Sequence, residues 1–200
     1  MANTDAAFGL RPVQHLDGSP WNGKVNPYYV AATYGTILGI GDLVYTDTDA
    51  GAAGVTVYGM DVEGMPGVTR AAAAGTTIRG VIVGFSPLQT DLSKLHNPAS
   101  TARIAYVCDA PDVVYEIQED SDGGAIAAAS VGMNADIITV ADASTTTGRS
   151  TMELDSSDVK SGTAQLRILG LAKRPGNILG SFAKWLVVIN EHEFKSTTGI

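Results

Sequence analysis

The chain has few of the residues from which reactive and metal-binding sites are usually built. Its 200 residues contain a single cysteine, Cys108, and three histidines. A lone cysteine excludes a disulfide within the chain, so the fold does not depend on an oxidising compartment. A metal site needs several converging ligands, which three scattered histidines do not offer. No His or Asn is placed by sequence as a partner for Cys108, and we interpret this residue as a small buried hydrophobe on a strand.

Long apolar runs and concentrations of positive charge are also missing. No run approaches the roughly 20 apolar residues that span a bilayer, and residues 1–5 lack the charged and apolar regions of a secretion signal. Thirteen Lys and Arg stand against 21 Asp and Glu, a formal net charge of -8, which phosphate backbones repel. We therefore expect a soluble protein, made in the cytoplasm, that binds neither membranes nor nucleic acid.

Glycine is abundant, with 23 residues, and Ala, Thr and Val are frequent. This composition favours short strands joined by tight turns. Period-two patterns predict strands at 28–33, 42–46, 55–58, 77–85, 103–109, 112–119, 136–140, 163–171 and 184–190. The last two form the clearest pair, and the Pro and Gly of the turn at 173–177 predict a hairpin. In the fourth strand, Gly80 and Gly84 indicate bulges or close approaches.

These patterns predict a mainly β fold with little helix, built as a short-stranded barrel or sandwich body with an extended N-terminal arm. Residues 1–27 are rich in Gly and Pro and lack a strand or helix period, which is typical of an arm. Residues 28–97 and 98–200 are predicted as N-terminal and C-terminal β subdomains. The stretch 59–75 is predicted as loop, and 124–130 is the best helix candidate.

Two acidic turns resemble the start of a calcium loop but lack its end. One begins at Asp47 and the other at Asp120. A full loop requires a bidentate Glu at its twelfth position, where this chain has Tyr58 and Val131. We interpret both segments as turns that use Asp and Gly for their backbone preferences.

Other motifs that carry chemistry are incomplete in the same way. Residues 18–25 have the Gly and Lys spacing of a phosphate loop, but Val25 replaces the Ser or Thr and no strand precedes them. In the trio 191–193, strand geometry would point His192 away from its two Glu neighbours. No nucleophile elbow of the form Gly-x-Ser-x-Gly occurs. We predict no catalytic residue, no cofactor and no metal, and therefore a protein that is not an enzyme.

Segments at both ends of the chain nevertheless carry a family pattern. At the N-terminus they are NTDAAFGLRPV (3–13), NG (22–23) and NPYYV (26–30), and towards the C-terminus LRILGL (166–171), RPGN (174–177) and VVINEHE (187–193). GDLV (41–44) and RGVIVG (79–84) add two short strand motifs. In these segments the chain resembles the head decoration (cement) proteins of tailed bacteriophages.

The resemblance implies a non-enzymatic virion protein that binds the outside of the phage capsid and stabilises the shell. Its implied partners are the major capsid protein and further copies of itself, with a trimer favoured and a dimer possible over symmetry axes. The implied location is the outer capsid surface. At 200 residues the chain is larger than the smallest members of this family.

Apolar residues on an extended arm usually pack against another protein surface. Sequence leaves open whether this is the body of the same chain or a neighbouring subunit. On the second interpretation, the predicted capsid or subunit interface comprises Phe8, Leu10, Arg11, Val13, Trp21, Tyr28 and Tyr29.

Two alternatives stay open. One is another virion component, such as a tail-tube, head–tail joining or fibre-base protein. The other is a carbohydrate-binding β module or small β-rich hydrolase that stacks sugars on Trp21, Tyr28, Tyr29 and Tyr34. Scattered aromatics in an all-β chain are more often core or interface residues, which disfavours the second alternative.

Overall fold

A computed structural model describes residues 3–48, 50–52, 54–71, 75–139 and 141–196. Within these ranges the chain forms fourteen strands and two short 3₁₀ turns, at Ala128–Ser130 and Glu193–Lys195. The strands are β1 (Arg11–His15), β2 (Asn26–Val30), β3 (Leu43–Asp47), β4 (Thr56–Val57), β5 (Met60–Asp61), β6 (Gly67–Arg70), β7 (Gly80–Phe85), β8 (Arg103–Cys108), β9 (Val113–Gln118), β10 (Asn134–Ala135), β11 (Ile137–Thr139), β12 (Met152–Leu154), β13 (Leu166–Leu171) and β14 (Lys184–Ile189). The mainly β fold class is confirmed. The described residues contain no helix long and apolar enough to cross a membrane.

Five strands close into a barrel in the order β2, β6, β3, β7, β8, and β8 pairs back onto β2. The β2–β6 pair is parallel and the other pairs are antiparallel. Both predicted glycine features of β7 are confirmed. The register shifts between Ile82 and Gly84, and a Cβ at Gly80 would lie 2.3 Å from the carbonyl oxygen of Cys108. Closure gives these strands paired neighbours on both sides, so the barrel leaves no open edge.

Period-two alternation sorts the barrel side chains into inner and outer layers. Every barrel strand contributes to one buried cluster, which includes Tyr28 and Val30 of β2 and therefore fills the interior. Tyr29, between them, packs on the outside with Ile104 and with Val57 of the β4–β5 hairpin. This hairpin is the cover for that side of the barrel.

The second half of the fold is a five-stranded sheet in the order β1, β9, β14, β13, β10. The predicted C-terminal hairpin is confirmed, because β13 and β14 pair antiparallel from Leu166 opposite Ile189 to Leu171 opposite Trp185. Asn177 closes the connection between these strands. Its side-chain amide donates to the carbonyls of Ala172 and Lys184, at 2.8 Å and 2.9 Å.

The largest core lies between the barrel and the sheet. Tyr115 and Trp185 from the sheet pack in one buried cluster with Leu43 and Val81 from the barrel. The short β11–β12 pair adds Met152 and other apolar side chains to the same cluster. Truncating a buried aromatic of this size to Ala typically costs about 3–5 kcal/mol, so this contact holds the two halves together.

Two expectations about individual segments are wrong. The predicted loop 59–75 contains β5 and β6, and β6 is a barrel strand. The helix candidate 124–130 forms only the 3₁₀ turn at Ala128–Ser130. The predicted strand 136–140 is confirmed as β11, although Val140 lies outside the described residues.

The strand pairings cross both predicted domain boundaries. Within the predicted arm, 1–27, residues 11–15 form β1, which pairs antiparallel with β9. β8 follows the boundary at 97/98 and closes the barrel formed by strands that precede it. The division into an arm and two subdomains stays a prediction about which parts fold independently.

Candidate binding cleft

The segment before β1 is fixed to the barrel where two glycines cross. The Leu10 N–H donates to the Gly41 carbonyl at 2.9 Å. Gly9 and Gly41 have φ values of +69° and +99°, in the region that favours glycine. A Cβ at Gly9 would lie 2.4 Å from the Gly41 carbonyl oxygen, and a Cβ at Gly41 would lie 2.5 Å from that of Phe8. Glycine at both positions therefore permits the close approach that places Phe8 and Arg11 beside the barrel.

A cleft of about 490 Å³ opens beside this crossing, between the N-terminal segment and β7. Its lining is apolar with a group of basic side chains. The apolar residues are Ala6, Phe8, Leu10, Pro12, Trp21, Ile40, Ile82 and Val83, and the basic ones are Arg11, Arg149, Arg174 and Lys184. Four of the 13 Lys and Arg of an acidic chain thus lie in one cleft.

One buried carboxylate interacts with three of these basic side chains. Glu116 on β9 is 3% exposed, and its two oxygens lie 2.6 Å from Arg11 Nη2 and 3.1 Å from Arg174 Nη2. Burial, and then repulsion from Arg174, lowers the pKa of Lys184, while attraction to Glu116 opposes this shift. A single negative charge therefore faces three positive ones, and the cleft keeps an excess of positive charge.

The remaining features of the cleft also suit an anionic or aromatic partner. The Arg11 guanidinium carbon lies 5.4 Å from the centroid of the Phe8 ring, a cation–π arrangement that holds both side chains at the cleft wall. Arg149 is exposed and has no ion-pair partner among the described residues. Its guanidinium is available to a carboxylate from outside.

Four of the seven predicted interface residues line the cleft, namely Phe8, Leu10, Arg11 and Trp21. Leu10 is only 2% exposed, so it forms the floor rather than a free surface. Val13 lies nearby on β1 and is half-buried, outside the lining. An interface role for this group stays a prediction.

The other two predicted residues are buried on the barrel strand β2. Tyr28 and Tyr29 are 4% and 8% exposed, and the Tyr28 hydroxyl donates to Asp109 Oδ2 at 2.6 Å. Tyr29 and Tyr34 border a separate pocket of about 200 Å³. The aromatic residues considered for sugar stacking are therefore divided between this pocket, the barrel core and Trp21 in the cleft.

Cys108 is a buried strand residue, as predicted. It is fully buried, and the Tyr115 hydroxyl donates to its carbonyl oxygen at 3.1 Å and approaches its sulfur at 3.4 Å. Burial raises the pKa of the thiol, which disfavours the reactive thiolate.

The trio 191–193 is engaged in structural contacts. Glu193 pairs with Arg79 at 2.7 Å and accepts from the Thr46 hydroxyl at 2.7 Å. His192 is 2% exposed, and its Nδ1 accepts from the Phe194 N–H at 3.1 Å. These contacts attach the end of the sheet to the barrel strand β3.

The sequence reasoning missed three basic cleft residues and one acidic cluster. Arg149, Arg174 and Lys184 are far apart in sequence and show no pattern that would join them. The cluster consists of Asp120 and Asp122, from the rejected calcium-like turn, together with Asp155. We call these three residues the acidic corner.

Comparisons with known proteins identify no relative: no family model, no curated protein and no solved structure matches the chain. The resemblance to head decoration proteins is carried by the quoted segments alone and stays a hypothesis.

Proposed function

We propose that this protein is a non-enzymatic virion component that binds the outside of a tailed-phage capsid, stabilises the shell, and receives the major capsid protein in the cleft. The observation that supports the cleft as the site is its composition. Apolar side chains form its floor, and four basic side chains line it in a chain of net charge -8.

Such a composition is what a protein partner requires. Protein interfaces are enriched in aromatic residues and arginine, and the strongest contacts combine a buried apolar anchor with desolvated charge pairs. Phe8 and Trp21 offer aromatic surface, while Arg11 and Arg149 offer guanidinium groups. The matching segment of the capsid protein carries an acidic side chain next to an apolar one.

The rest of the fold suits a protein that reinforces a shell. The closed barrel has no open strand edge, so binding through the cleft does not compete with pairing at a barrel edge. The proposal includes a homo-oligomer, with a trimer favoured, on the outer capsid surface after synthesis in the host cytoplasm. Closed symmetry matches copies of one chain to the local symmetry axes of a shell.

The test is binding of purified protein to heads that lack it, measured as bound copies against free concentration. Reversing one cleft charge, with Arg149→Glu, should weaken binding about tenfold, because a like charge would then face the acidic partner. Arg149 has no ion pair to lose among the described residues, so folding should be unaffected. The matched control is Lys24→Glu, which makes the same charge change at an exposed residue outside the cleft lining.

Equal binding by wild type and Arg149→Glu would remove the cleft from the proposal. Binding to tails but not to heads would favour the alternative of a tail-tube or head–tail joining protein.

A further inference from the structure

Beyond the end of β9, three carboxylates converge on one point. One oxygen from each of Asp120, Asp122 and Asp155 lies within 4.8 Å of the other two. None of the three has an ion pair with a basic side chain among the described residues. The neighbouring Lys160 pairs instead with Asp136 and Asp158.

The fold brings these residues together by a pairing that the sequence does not reveal. Glu119 and Leu154 form a parallel bridge, and the Asp120 N–H donates to the Leu154 carbonyl at 3.2 Å. Asp120 and Asp155 each follow one of the bridged residues, and they are therefore neighbours on adjacent segments of the chain. The turn after Asp120 then returns Asp122 towards the same place.

Backbone groups orient the carboxylates and use only part of their acceptor capacity. Asp120 Oδ1 accepts from the Ser156 N–H at 3.0 Å, and Asp155 Oδ1 accepts from the Ser157 N–H at 2.9 Å. Asp120 Oδ2 is buried and has no hydrogen-bond partner among the described residues. A buried carboxylate oxygen with no donor is costly, and a bound cation would satisfy it.

A second, independent observation is the side chain of Glu153. It is 6% exposed, and its Oε1 is buried without a hydrogen-bond partner among the described residues. Glu119 and Leu154 face the core, so their neighbours Asp120 and Glu153 share the opposite face, the face of the acidic corner. A second buried carboxyl oxygen without a hydrogen-bond partner among the described residues thus lies on the face of the corner.

We propose that the acidic corner binds a calcium ion through Asp120, Asp122 and Asp155, with the buried carboxyl group of Glu153 beside it. Calcium binds oxygen ligands at about 2.3–2.6 Å, so two ligands of one ion lie up to roughly 5 Å apart. The separations in the corner meet that limit. Calcium accepts irregular sets of 6–8 oxygens, so water completes the shell, whereas magnesium demands near-ideal octahedral geometry that two turns do not impose.

The experiment is a calorimetric titration of EDTA-treated, dialysed full-length protein with CaCl₂, paired with thermal denaturation. We expect one ion per chain and half-saturation at about 0.1–1 mM, as in exposed sites with few carboxylates. In ~10 mM CaCl₂ the melting temperature should rise by about 3–10 °C, because the ion binds the folded state alone. A parallel titration with MgCl₂ should show at least about tenfold weaker binding.

Asp155→Asn is the decisive variant, because it removes a ligand charge and keeps the Oδ1 acceptor that orders the turn. Asp91→Asn is its matched control. In both turns Oδ1 accepts from the N–H and hydroxyl of the Ser two residues on, at 2.9 and 2.6 Å for Asp155 and at 3.0 and 2.6 Å for Asp91. Asp91 lies outside the corner.

Asp155→Asn should weaken calcium binding at least tenfold and abolish the calcium-dependent rise in melting temperature, and Asp91→Asn should change neither. Asp122→Asn, at an exposed position, gives a second test in case the Asp155 variant folds poorly. Absence of saturable binding up to 10 mM CaCl₂, or equal binding by wild type and both corner variants, would overturn the assignment.

Discussion

Strand β9 and the segment that follows it carry two carboxylates on one face, and the two have oppositely charged neighbours. Glu116 and Asp120 are four residues apart and point to the same side, with Gln118 between them. Glu116 is neutralised by Arg11 and Arg174, which line the cleft. Asp120 meets Asp122, Asp155 and no basic side chain among the described residues.

The different surroundings of Glu116 and Asp120 indicate which kind of external ligand suits each region. A carboxylate whose cations come from the same chain is part of the structure, and the excess cations around Glu116 point to an anionic partner. For the carboxylates that meet only each other, the proposed counter-charge is a calcium ion from solution. Gln118 separates the two regions, because its amide donates to the Thr4 carbonyl at 2.8 Å and accepts from the Ala6 N–H at 2.8 Å. The N-terminal segment thus crosses the face between cleft and corner.

The largest expected effect comes from displacing this N-terminal segment. Gly41→Ala should cost about 3 kcal/mol of unfolding free energy, because the positive φ and the contact with the Phe8 carbonyl are both incompatible with a Cβ. Chemical denaturation measures this loss of unfolding free energy. Gly23→Ala is the control, since Gly23 also has positive φ, +84°, but no atom within 4 Å of the added Cβ. Equal losses in both variants would show that the crossing itself contributes nothing.

His192 contributes to the loss of stability at acid pH. This contribution must be measured before acid pH is used to compare the cleft with the acidic corner. Burial is the main cause that lowers the pKa of His192 from 6.5 to about 4. Between these values the unfolded chain binds a proton that the folded chain does not, so stability falls as pH drops from about 6.5 to 4. The loss at pH 4 should be about 1–3 kcal/mol.

His192→Asn keeps an acceptor for the Phe194 N–H and removes the titration. The difference in unfolding free energy between pH 7.5 and pH 4, measured by denaturant titration, should therefore be smaller in the variant. A difference as large as that of wild type would exclude His192 as a source of acid sensitivity.

Neutralising the carboxylate of the cleft should destabilise the fold. Glu116→Gln leaves the three basic side chains without a counter-charge and should cost about 1 kcal/mol, limited by the partial exposure of Arg11 and Arg174. The loss should shrink in 1 M NaCl, which screens the repulsion. Glu63→Gln, at an exposed site, is the matched control. A loss that is independent of salt would argue against the charge explanation.

Neutralising the carboxylate of the corner should have the smaller and opposite effect. In EDTA, Asp120→Asn should raise stability by about 0.5 kcal/mol, because it removes a repulsive charge and keeps the acceptor for the Ser156 N–H. In 10 mM CaCl₂ the same variant should be less stable than wild type. Thermal denaturation in the two buffers measures both signs, and a loss in EDTA would contradict the picture of unrelieved repulsion.

Sequence patterns predicted the elements whose periodicity is local. The hairpin β13–β14 and the bulged strand β7 were visible because alternation and glycine placement lie within a few residues. β1 was not, because its sequence, RPVQH, contains Pro12 and does not alternate clearly. Its pairing with β9, about 100 residues away, forms an edge strand in which proline is tolerated.

The two charged regions were beyond sequence reasoning for a related reason. The calcium-like turn at Asp120 was tested against a loop that supplies all its ligands in one stretch, and it failed. The third carboxylate is that of Asp155, brought close by the bridge between Glu119 and Leu154. Likewise the basic cleft draws on segments around residues 11, 149, 174 and 184, which meet only through the sheet and barrel packing.

The most direct test of the proposed capsid role is cryo-electron microscopy of tailed-phage particles purified from the source of this chain. We predict density for this fold outside the major capsid lattice, repeated at local symmetry axes, with the cleft of Phe8, Arg11 and Arg149 against an acidic segment of the capsid protein. Density confined to the tail, or a copy on the shell whose cleft faces solvent, would contradict it.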